Sequence, residues 1–389
     1  MSTPTELVGD RIRALCELQA ISRKSLAEDL HISPATLSKI ESGTHRFPQD
    51  LAHALSVRFG LPLGFFSAQD TISEVVTPTF RKRARARVID EKRIVRLARE
   101  ATRVFSSASE QSGYREFLFP TDLNLLEDEE QCAVEIRRAG GLDAVEPVPN
   151  VTRLLERQGI GIVTALTPAG DSPGDHTGIT LPSRHNSRPL IALVDPTPGA
   201  VARFTLAHEA AHHIWDKDLA TPLTSTRDPR ELRAHRFAGA LLLPRSVMVE
   251  RVDEGTTLRG LLPLKADYGV SVGAIIKRAS ALHLISQHRE RSLQIQLSSL
   301  GWRDQKVEPV EVAVERPLLL KQVLDRVTPL DALSLARYTC LAPELVQKWV
   351  GAQPSSIAPD QPIGEVIDLA THRRGHAGRN PASTLEEGL

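Results

Sequence analysis

The 389-residue sequence predicts a chain of several domains: an all-α domain at the N-terminus, an α+β domain in the middle and a helical region after it. Three observations predict this arrangement. The chain is longer than a single hydrophobic core usually supports. Residues 1–66 carry apolar residues at helical spacing between tight turns. Residues 126–290 add apolar runs of strand length to amphipathic segments, so we expect domains that each bury their own core.

The composition is that of an ordinary folded protein. Hydrophobic residues make up 41% and charged residues 25%, and 48 basic residues balance 48 acidic ones. These values exclude global disorder, a collagen-like repeat and a disulfide scaffold. No apolar run reaches the roughly 18–20 residues of a membrane helix, and the N-terminus lacks the profile of a signal peptide. Because the three cysteines are also widely separated, the sequence predicts a protein of the reducing cytoplasm with no membrane partner.

Residues 21–43 predict two short helices joined by a turn of about four residues, which is a helix-turn-helix. Ser22 and Ser33 stand where each helix needs an N-cap, and Pro34 suits the first position of the second helix. Gly43 ends that helix. The caps, the apolar spacing and the turn length agree, which favours a helix-turn-helix over an irregular helical segment.

The second helix of this pair is expected to enter the major groove, where its exposed residues read base edges and basic residues near it reach phosphates. One such module contacts few bases, so we expect a homodimer on an operator of double-stranded DNA. The alternative is a helical bundle that serves dimerisation only. The predicted DNA contacts are Arg23, Ser33, Ala35, Thr36, Ser38, Lys39 and Arg46.

About residues 7–66 resemble the XRE family of helix-turn-helix regulators, and the run LSKIESG at residues 37–43 is part of the match. The resemblance implies sequence-specific DNA binding and transcription regulation. His31 occupies the turn, where family members usually have glycine. The turn needs a left-handed residue, and histidine adopts that conformation better than most residues do, so we expect the fold to be kept.

Residues 208–212 read His-Glu-Ala-Ala-His. On a helix from about residue 200 to 215, His208 and His212 lie one turn apart on the same face and can bind one metal ion. Glu209 lies about 100° round the helix, near enough to take a proton from water at that ion. A catalytic zinc site needs a third protein ligand. A helix from about residue 230 offers two candidates one turn apart, Glu231 and His235.

Residues 130–245 resemble the ImmA/IrrE metallopeptidases. The segments RFTLAHE at 203–209 and ELRAHRFA at 231–238 carry the resemblance. It implies a zincin-like α+β metallopeptidase domain of the HExxH type, which binds Zn²⁺ and hydrolyses peptide bonds. The residues carried over are His208, His212 and Glu231 as zinc ligands and Glu209 as general base.

Other polar residues near the motif have simpler interpretations. His235 is predicted to lie next to the zinc ligands and to support one of them. Arg233 stands where the family often has a second glutamate. His213 is read as a packing or surface residue, and His176 and His185 are read as solvated loop residues that alternatively line the cleft.

The rest of the chain gives weaker signals. Residues 190–194 predict a strand, which is either an edge that pairs with an extended peptide substrate or an ordinary core strand. Residues 293–297 predict a short polar strand, and residues 328–350 faintly resemble a second helix-turn-helix, for which a structural helix pair is favoured. The predicted regions are 1–68 (helix-turn-helix domain), 69–125 (basic linker and connecting helix), 126–290 (zinc peptidase domain), 291–353 (helical region) and 354–389 (disordered tail).

Three hypotheses about function follow from these motifs. In the first, a transcriptional regulator carries a zinc endopeptidase domain that cuts a repressor or an antitoxin partner. In the second, the protein is a non-catalytic DNA-binding repressor or antitoxin whose zinc domain is a sensor or scaffold. In the third, the chain cuts itself near the basic linker at residues 81–87. Glu209 favours catalysis, because a purely structural zinc site needs no base.

Overall fold

The computed structural model separates residues 1–353 from residues 354–389. The predicted disordered tail, 354–389, lies outside the described residues. None of the helices described is long and apolar enough to cross a membrane. The structure describes residues 6–68, 79–82, 88–117, 119, 128–168, 176–183, 186–217, 219, 223, 225, 227–304, 307–328 and 331–351.

Short capped helices form the N-terminal domain. They are α1 (Asp10–Leu18), α2 (Arg23–Asp29), α3 (Pro34–Glu41) and α4 (Gln49–Phe59), followed by a 3-10 turn at Leu63–Ser67. Ser22 Oγ accepts a hydrogen bond from the backbone N of Ser25, and Ser33 Oγ accepts one from the backbone N of Thr36, both at 3.0 Å. His31 has a φ of 53°, so it takes the left-handed conformation that the turn needs. The predicted helix-turn-helix is therefore present as α2 and α3.

A long helix, α5 (Val88–Ser112), joins the N-terminal domain to the rest of the chain. A buried carboxylate holds it to α1: Glu100 accepts from Arg11 Nη1 at 2.7 Å and pairs with Arg103 at 2.9 Å. Burial alone would raise the pKa of Glu100, but the guanidinium groups of Arg103, Arg11 and Arg96 lower it to about 2. The carboxylate therefore stays ionised and paired inside the protein.

The described residues of the central domain form a four-stranded sheet in the order β1-β3-β4-β2. Its strands are β1 (Thr79–Lys82), β2 (Gly161–Val163), β3 (His176–Thr180) and β4 (Leu190–Leu193). β3 is antiparallel to both β1 and β4, whereas β2 runs parallel to β4. The alternative that residues 190–194 form a substrate-binding edge is wrong, because β3 and β2 cover both sides of β4. The outermost strand beside β3 is instead β1, which lies in the region that the sequence assigned to a basic linker.

Four helices contribute buried residues to the core of the central domain. They are α6 (Glu129–Ala139), α7 (Val151–Arg157), α8 (Gly199–Trp215) and α9 (Pro229–Leu242). α8 lies against β3 and β4, and α9 packs on both α8 and α6. The approach of α8 to β3 requires glycine at position 178, since a Cβ there would lie 2.5 Å from Cγ2 of Thr205. This contact brings the middle of α8 close to the strand.

The remaining elements are helical, which confirms the predicted fold class. They are α10 (Arg245–Arg251), α11 (Leu262–Tyr268), α12 (Val272–Ala281), α13 (Gln287–Ser299), α14 (Leu319–Val327), α15 (Ala332–Thr339) and α16 (Pro343–Trp349). The predicted strand at 293–297 is wrong, because these residues lie within α13. Leu293 and Leu297 are buried, whereas Ile295 between them is 61% exposed. The buried spacing is thus four residues, as in a helix, and not two.

The last two helices, α15 and α16, contact two other parts of the chain. The segment with the faint resemblance to a second helix-turn-helix forms α15 and α16, which pack as a structural pair. Trp349 Nε1 in α16 donates to the carbonyl oxygen of Leu166 at 2.9 Å, beside the sheet. Arg103 Nη2 in α5 donates to the carbonyl oxygen of Thr339 at 2.9 Å. The pair therefore contacts both the connecting helix and the central domain.

Candidate functional site

The His-Glu-Ala-Ala-His segment lies in the second half of α8, deep in the central domain. His208 and Glu209 are 1% exposed and His212 is fully buried. The first half of the helix is anchored by Arg203, which donates to the carbonyl oxygen of Val148 at 2.6 Å and forms a buried ion pair with Glu315. The motif therefore lies on a buried helix that is anchored at its first half, and electrostatic interactions are stronger in such an interior than in water.

Three buried donor groups converge at this point: His208, His212 and Glu231. The two histidine Nε2 atoms are 3.3 Å apart. The carboxylate oxygens of Glu231 lie 3.2 Å from Nε2 of His208 and 3.5 Å from Nε2 of His212. In a tetrahedral zinc site with ligand bonds of about 2.0–2.2 Å, neighbouring donor atoms lie about 3.3–3.6 Å apart. The two imidazoles and one carboxylate thus have both the chemistry and the spacing that zinc requires.

The packing of α9 on α8 distinguishes between Glu231 and His235, the two candidates for the third ligand. Asp228 caps α9 by accepting from the backbone N of Arg230 at 2.9 Å, which places Glu231 in the first turn. The carboxylate of Glu231 reaches both histidines of α8. The ring of His235, one turn later, packs against the ring of His208, with 5.2 Å between centroids. Glu231 is therefore the residue that meets the histidines, and His235 lies beside His208.

Asp216 supports His212, and sequence analysis missed it. Its Oδ2 atom lies 2.7 Å from Nδ1 of His212, and its Oδ1 accepts from Arg233 Nη2 at 2.7 Å. Burial alone would lower the pKa of His212, but the hydrogen bond to Asp216 and the nearby carboxylates raise it overall. The signal was available, since Asp216 lies four residues after His212 and hence one helical turn away. Arg233, which stands where the ImmA/IrrE family often has a second glutamate, is the residue that donates this hydrogen bond to Asp216.

Glu209 lies at the contact between α8 and β3. A Cβ at Gly178 would stand 3.3 Å from Oε1 of Glu209. The carboxylate is therefore next to the backbone of β3, on the helix that also carries His208 and His212. This position is suited to a group that exchanges a proton with a molecule between the donors and the strand.

The other histidines have no part in the donor cluster that the described residues form. His213 is buried, and its Nε2 contacts the hydroxyl of Thr180. Burial and the neighbouring Lys217 and His212 lower the pKa of His213 to about 3, so it packs as a neutral ring. His176 belongs to β3, and His185 lies outside the described residues.

The predicted DNA contacts lie together on the surface around α3. Ser33 also caps that helix, and its hydroxyl lies 2.8 Å from Thr36 Oγ1. Arg23 forms an ion pair with Glu41 at 3.0 Å, which holds α2 against α3. All seven predicted residues are exposed: Arg23, Ser33, Ala35, Thr36, Ser38, Lys39 and Arg46.

Two family models match the chain. Residues 12–66 match a helix-turn-helix family, and residues 155–280 match the IrrE N-terminal-like domain, a peptidase family. Among curated proteins, none matches the chain. The chain thus joins an XRE-type helix-turn-helix DNA-binding domain to an ImmA/IrrE-like domain, as the sequence motifs predicted.

Proposed function

We propose that this chain is a transcriptional regulator whose ImmA/IrrE-like domain is a zinc-dependent endopeptidase. The observation that carries the proposal is the spacing of the buried donors of His208, His212 and Glu231, with Glu209 on the same helix. A site that only holds a zinc ion needs its ligands and the residues that orient them, such as Asp216, but it needs no general base. The combination therefore favours hydrolysis over a purely structural role.

The residues divide the chemical work as follows. His208, His212 and Glu231 hold the ion, and Asp216 accepts from Nδ1 of His212 so that Nε2 faces the centre. A zinc ion bound there supplies Lewis acidity, which lowers the pKa of water and polarises a carbonyl group. Glu209 accepts the proton of water and passes it to the leaving amine. The peptide C–N bond breaks, hydroxide joins the carbonyl carbon, and the amine leaves with the proton.

The substrate class that we propose is a protein partner of regulation, a repressor or an antitoxin. The helix-turn-helix domain places the chain at an operator, through base contacts from α3 and phosphate contacts from Lys39 and Arg46. A homodimer fits a two-fold operator. Tethering at DNA raises the local concentration of any protein bound at the same operator, which favours its cleavage.

The test compares three purified full-length chains: the unaltered protein, Glu209→Gln and His212→Ala. We expect about one zinc per chain in the first two and little in the third. Each chain is then incubated with a lysate of its own source, and new N-termini are labelled and identified by mass spectrometry. New termini should arise with the unaltered chain only.

If the unaltered chain and Glu209→Gln both hold zinc and yield the same set of termini, the peptidase proposal is wrong. The domain would then be a sensor or scaffold of a DNA-binding repressor or antitoxin. Operator binding, measured in parallel, should be the same for all three chains, since the substitutions are buried in the central domain.

A further inference from the structure

The outer edge of the sheet beside Glu209 is occupied by a segment of the same chain. β1 pairs with β3 in antiparallel register, with Thr79 opposite Thr180 and Phe80 opposite Ile179. β3 in turn carries Gly178, whose backbone lies against Glu209. The order of the sheet thus runs from β1 through β3 to the other strands, with β1 outermost and β3 next to α8.

The register shows which part of β1 lies nearest Glu209. Lys82 pairs with His176, so the register shifts by one residue between Phe80 and Lys82. As a result, Thr177 and Gly178 together lie opposite Arg81. Neighbouring strands are about 4.8 Å apart, so the backbone at Arg81 is one strand spacing from the glycine that contacts Glu209.

An extended peptide that binds by strand addition needs a free sheet edge. Among the described strands, β4 is interior and has no free edge. The outer side of β2 belongs to the opposite end of the sheet, and β2 packs against α5, α7 and α14. A peptide that pairs with the sheet close to Glu209 must therefore pair with β3, at the place that β1 fills.

We propose that the outer edge of β3 is the peptide-binding edge of the central domain, and that Thr79–Lys82 is its tethered occupant. The proposal rests on the peptidase function proposed above and adds the binding mode of the substrate and its competitor. The ligand class is an extended peptide that adds one strand, and Thr-Phe-Arg-Lys is an example with two basic residues. Because β1 is tethered, its effective concentration is about millimolar, and a substrate in solution has to displace it.

The test measures binding of a fluorescein-labelled peptide of residues 77–87 by anisotropy. All chains are full-length, zinc-loaded and carry Glu209→Gln, so that the peptide is bound without being cut. The release variant is Phe80→Pro with Arg81→Pro. Successive N–H groups of a strand point to opposite sides, so the two prolines remove whichever one donates to β3. The control, Ala84→Pro with Arg85→Pro, adds two prolines and removes one positive charge in the same segment, but outside β1.

We expect the release variant to bind the peptide at least about tenfold more tightly than two other chains. These are the chain with Glu209→Gln alone, which is the parent here, and the control. The apparent affinity scales with the fraction of molecules whose edge is free, and a strand that is paired nine-tenths of the time imposes a tenfold loss. Equal affinities in all three chains would overturn the proposal. Cleavage of the unaltered chain between Phe80 and Lys82, detected as two fragments by intact mass, would also overturn it, because β1 would then be a substrate.

A second variant guards against a folding defect. Replacement of Thr79–Lys82 by Gly-Ser-Gly-Ser weakens strand pairing without proline, and it should also tighten peptide binding while zinc content stays at about one per chain. Peptide binding that tightens on release, together with no cleavage of any protein by the glutamate-containing chain, would support this proposal and overturn the peptidase function. If the glutamate-containing chain cleaves a protein but the release variants bind the peptide no more tightly, the peptidase function would be supported and the proposal about β1 would be overturned.

Discussion

The helix-turn-helix and the candidate metal centre present their functional residues in opposite ways. The predicted DNA contacts span residues 23–46, and every one of them is exposed. The candidate zinc ligands are buried and come from two helices, with Glu231 nineteen residues beyond His212. The first surface is built by local structure, whereas the second exists only where α8 and α9 pack. Changes in packing should therefore reach the metal centre and leave the DNA-binding face largely unaffected.

The largest expected effect concerns Glu100, the buried carboxylate of α5 that pairs with Arg11 of the N-terminal domain. Its pKa of about 2 lies below the ordinary 4.5, because the arginines outweigh the effect of burial. The stabilisation from the ionised carboxylate is complete above pH 4.5 and is lost as the pH falls towards 2. It amounts to about 3 kcal/mol, taken from the size of this pKa shift. The free energy of unfolding, measured by urea titration between pH 7 and pH 3, tests this.

Glu100→Gln is the control for that titration. The amide resembles the protonated carboxyl, so the variant should unfold about 3 kcal/mol more easily than the parent at pH 7. The difference should narrow below pH 4.5, because the carboxylate of the unfolded chain then takes up a proton that the folded protein does not bind until the pH approaches 2. A difference that stays constant down to pH 3 would contradict the lowered pKa.

A smaller effect, on zinc affinity, is expected from Asp216→Asn. This substitution tests whether a change in the buried site leaves the exposed DNA-binding face unaffected. The substitution weakens the acceptor that orients Nδ1 of His212, and such supporting residues are worth about 10–100-fold in metal affinity. Asp228→Asn is the matched control, because asparagine caps α9 as well as aspartate does. Competition with a zinc chelator measures both. Equal affinities in the two variants would show that Asp216 has no such role, and operator binding should be unchanged in each.

The smallest effect is expected at the surface. Lys39→Ala should weaken operator binding modestly and reduce the slope of log affinity against log salt by about 1, because one phosphate contact is lost. Lys24→Ala removes another exposed lysine, which pairs with Glu28 on α2, and serves as the control. Fluorescence anisotropy across a salt series distinguishes the two. The same slope change in both variants would argue against a specific phosphate contact from α3, and zinc content should be equal in both.

Local signals predicted the helix-turn-helix in detail. Ser22 and Ser33 cap the two helices, and His31 adopts the left-handed turn, as the sequence indicated. Each of these features depends on a few consecutive residues, so the sequence contains the whole cause. The segment at 293–297 shows the limit of local patterns. Its alternation of leucine, glutamine and isoleucine fits a strand as well as a helix, and the burial of Leu293 and Leu297 on one face of α13 decided between them.

The candidate site was predictable only in part. The spacing of His208, Glu209 and His212 is set by one helix, so the sequence determined their relation. The choice between Glu231 and His235 stayed open until the packing of α9 on α8 brought the carboxylate to both histidines. Asp216 was overlooked, although a step of four residues from His212, to the position just past the end of α8, would have pointed to it.

The sequence by itself determined the recognition helix α3 with its cap Ser33, and the helix α8 with the spacing of its His-Glu-Ala-Ala-His residues. Helical geometry fixes which of these residues share a face. The tertiary structure alone decided the interior place of β4, the pairing of β1 with β3, and the meeting of donors from two helices. Strand pairing and helix packing join residues that are distant in sequence, and their partners are selected by the burial of whole surfaces. The four residues of β1 therefore do not by themselves indicate that they pair with β3.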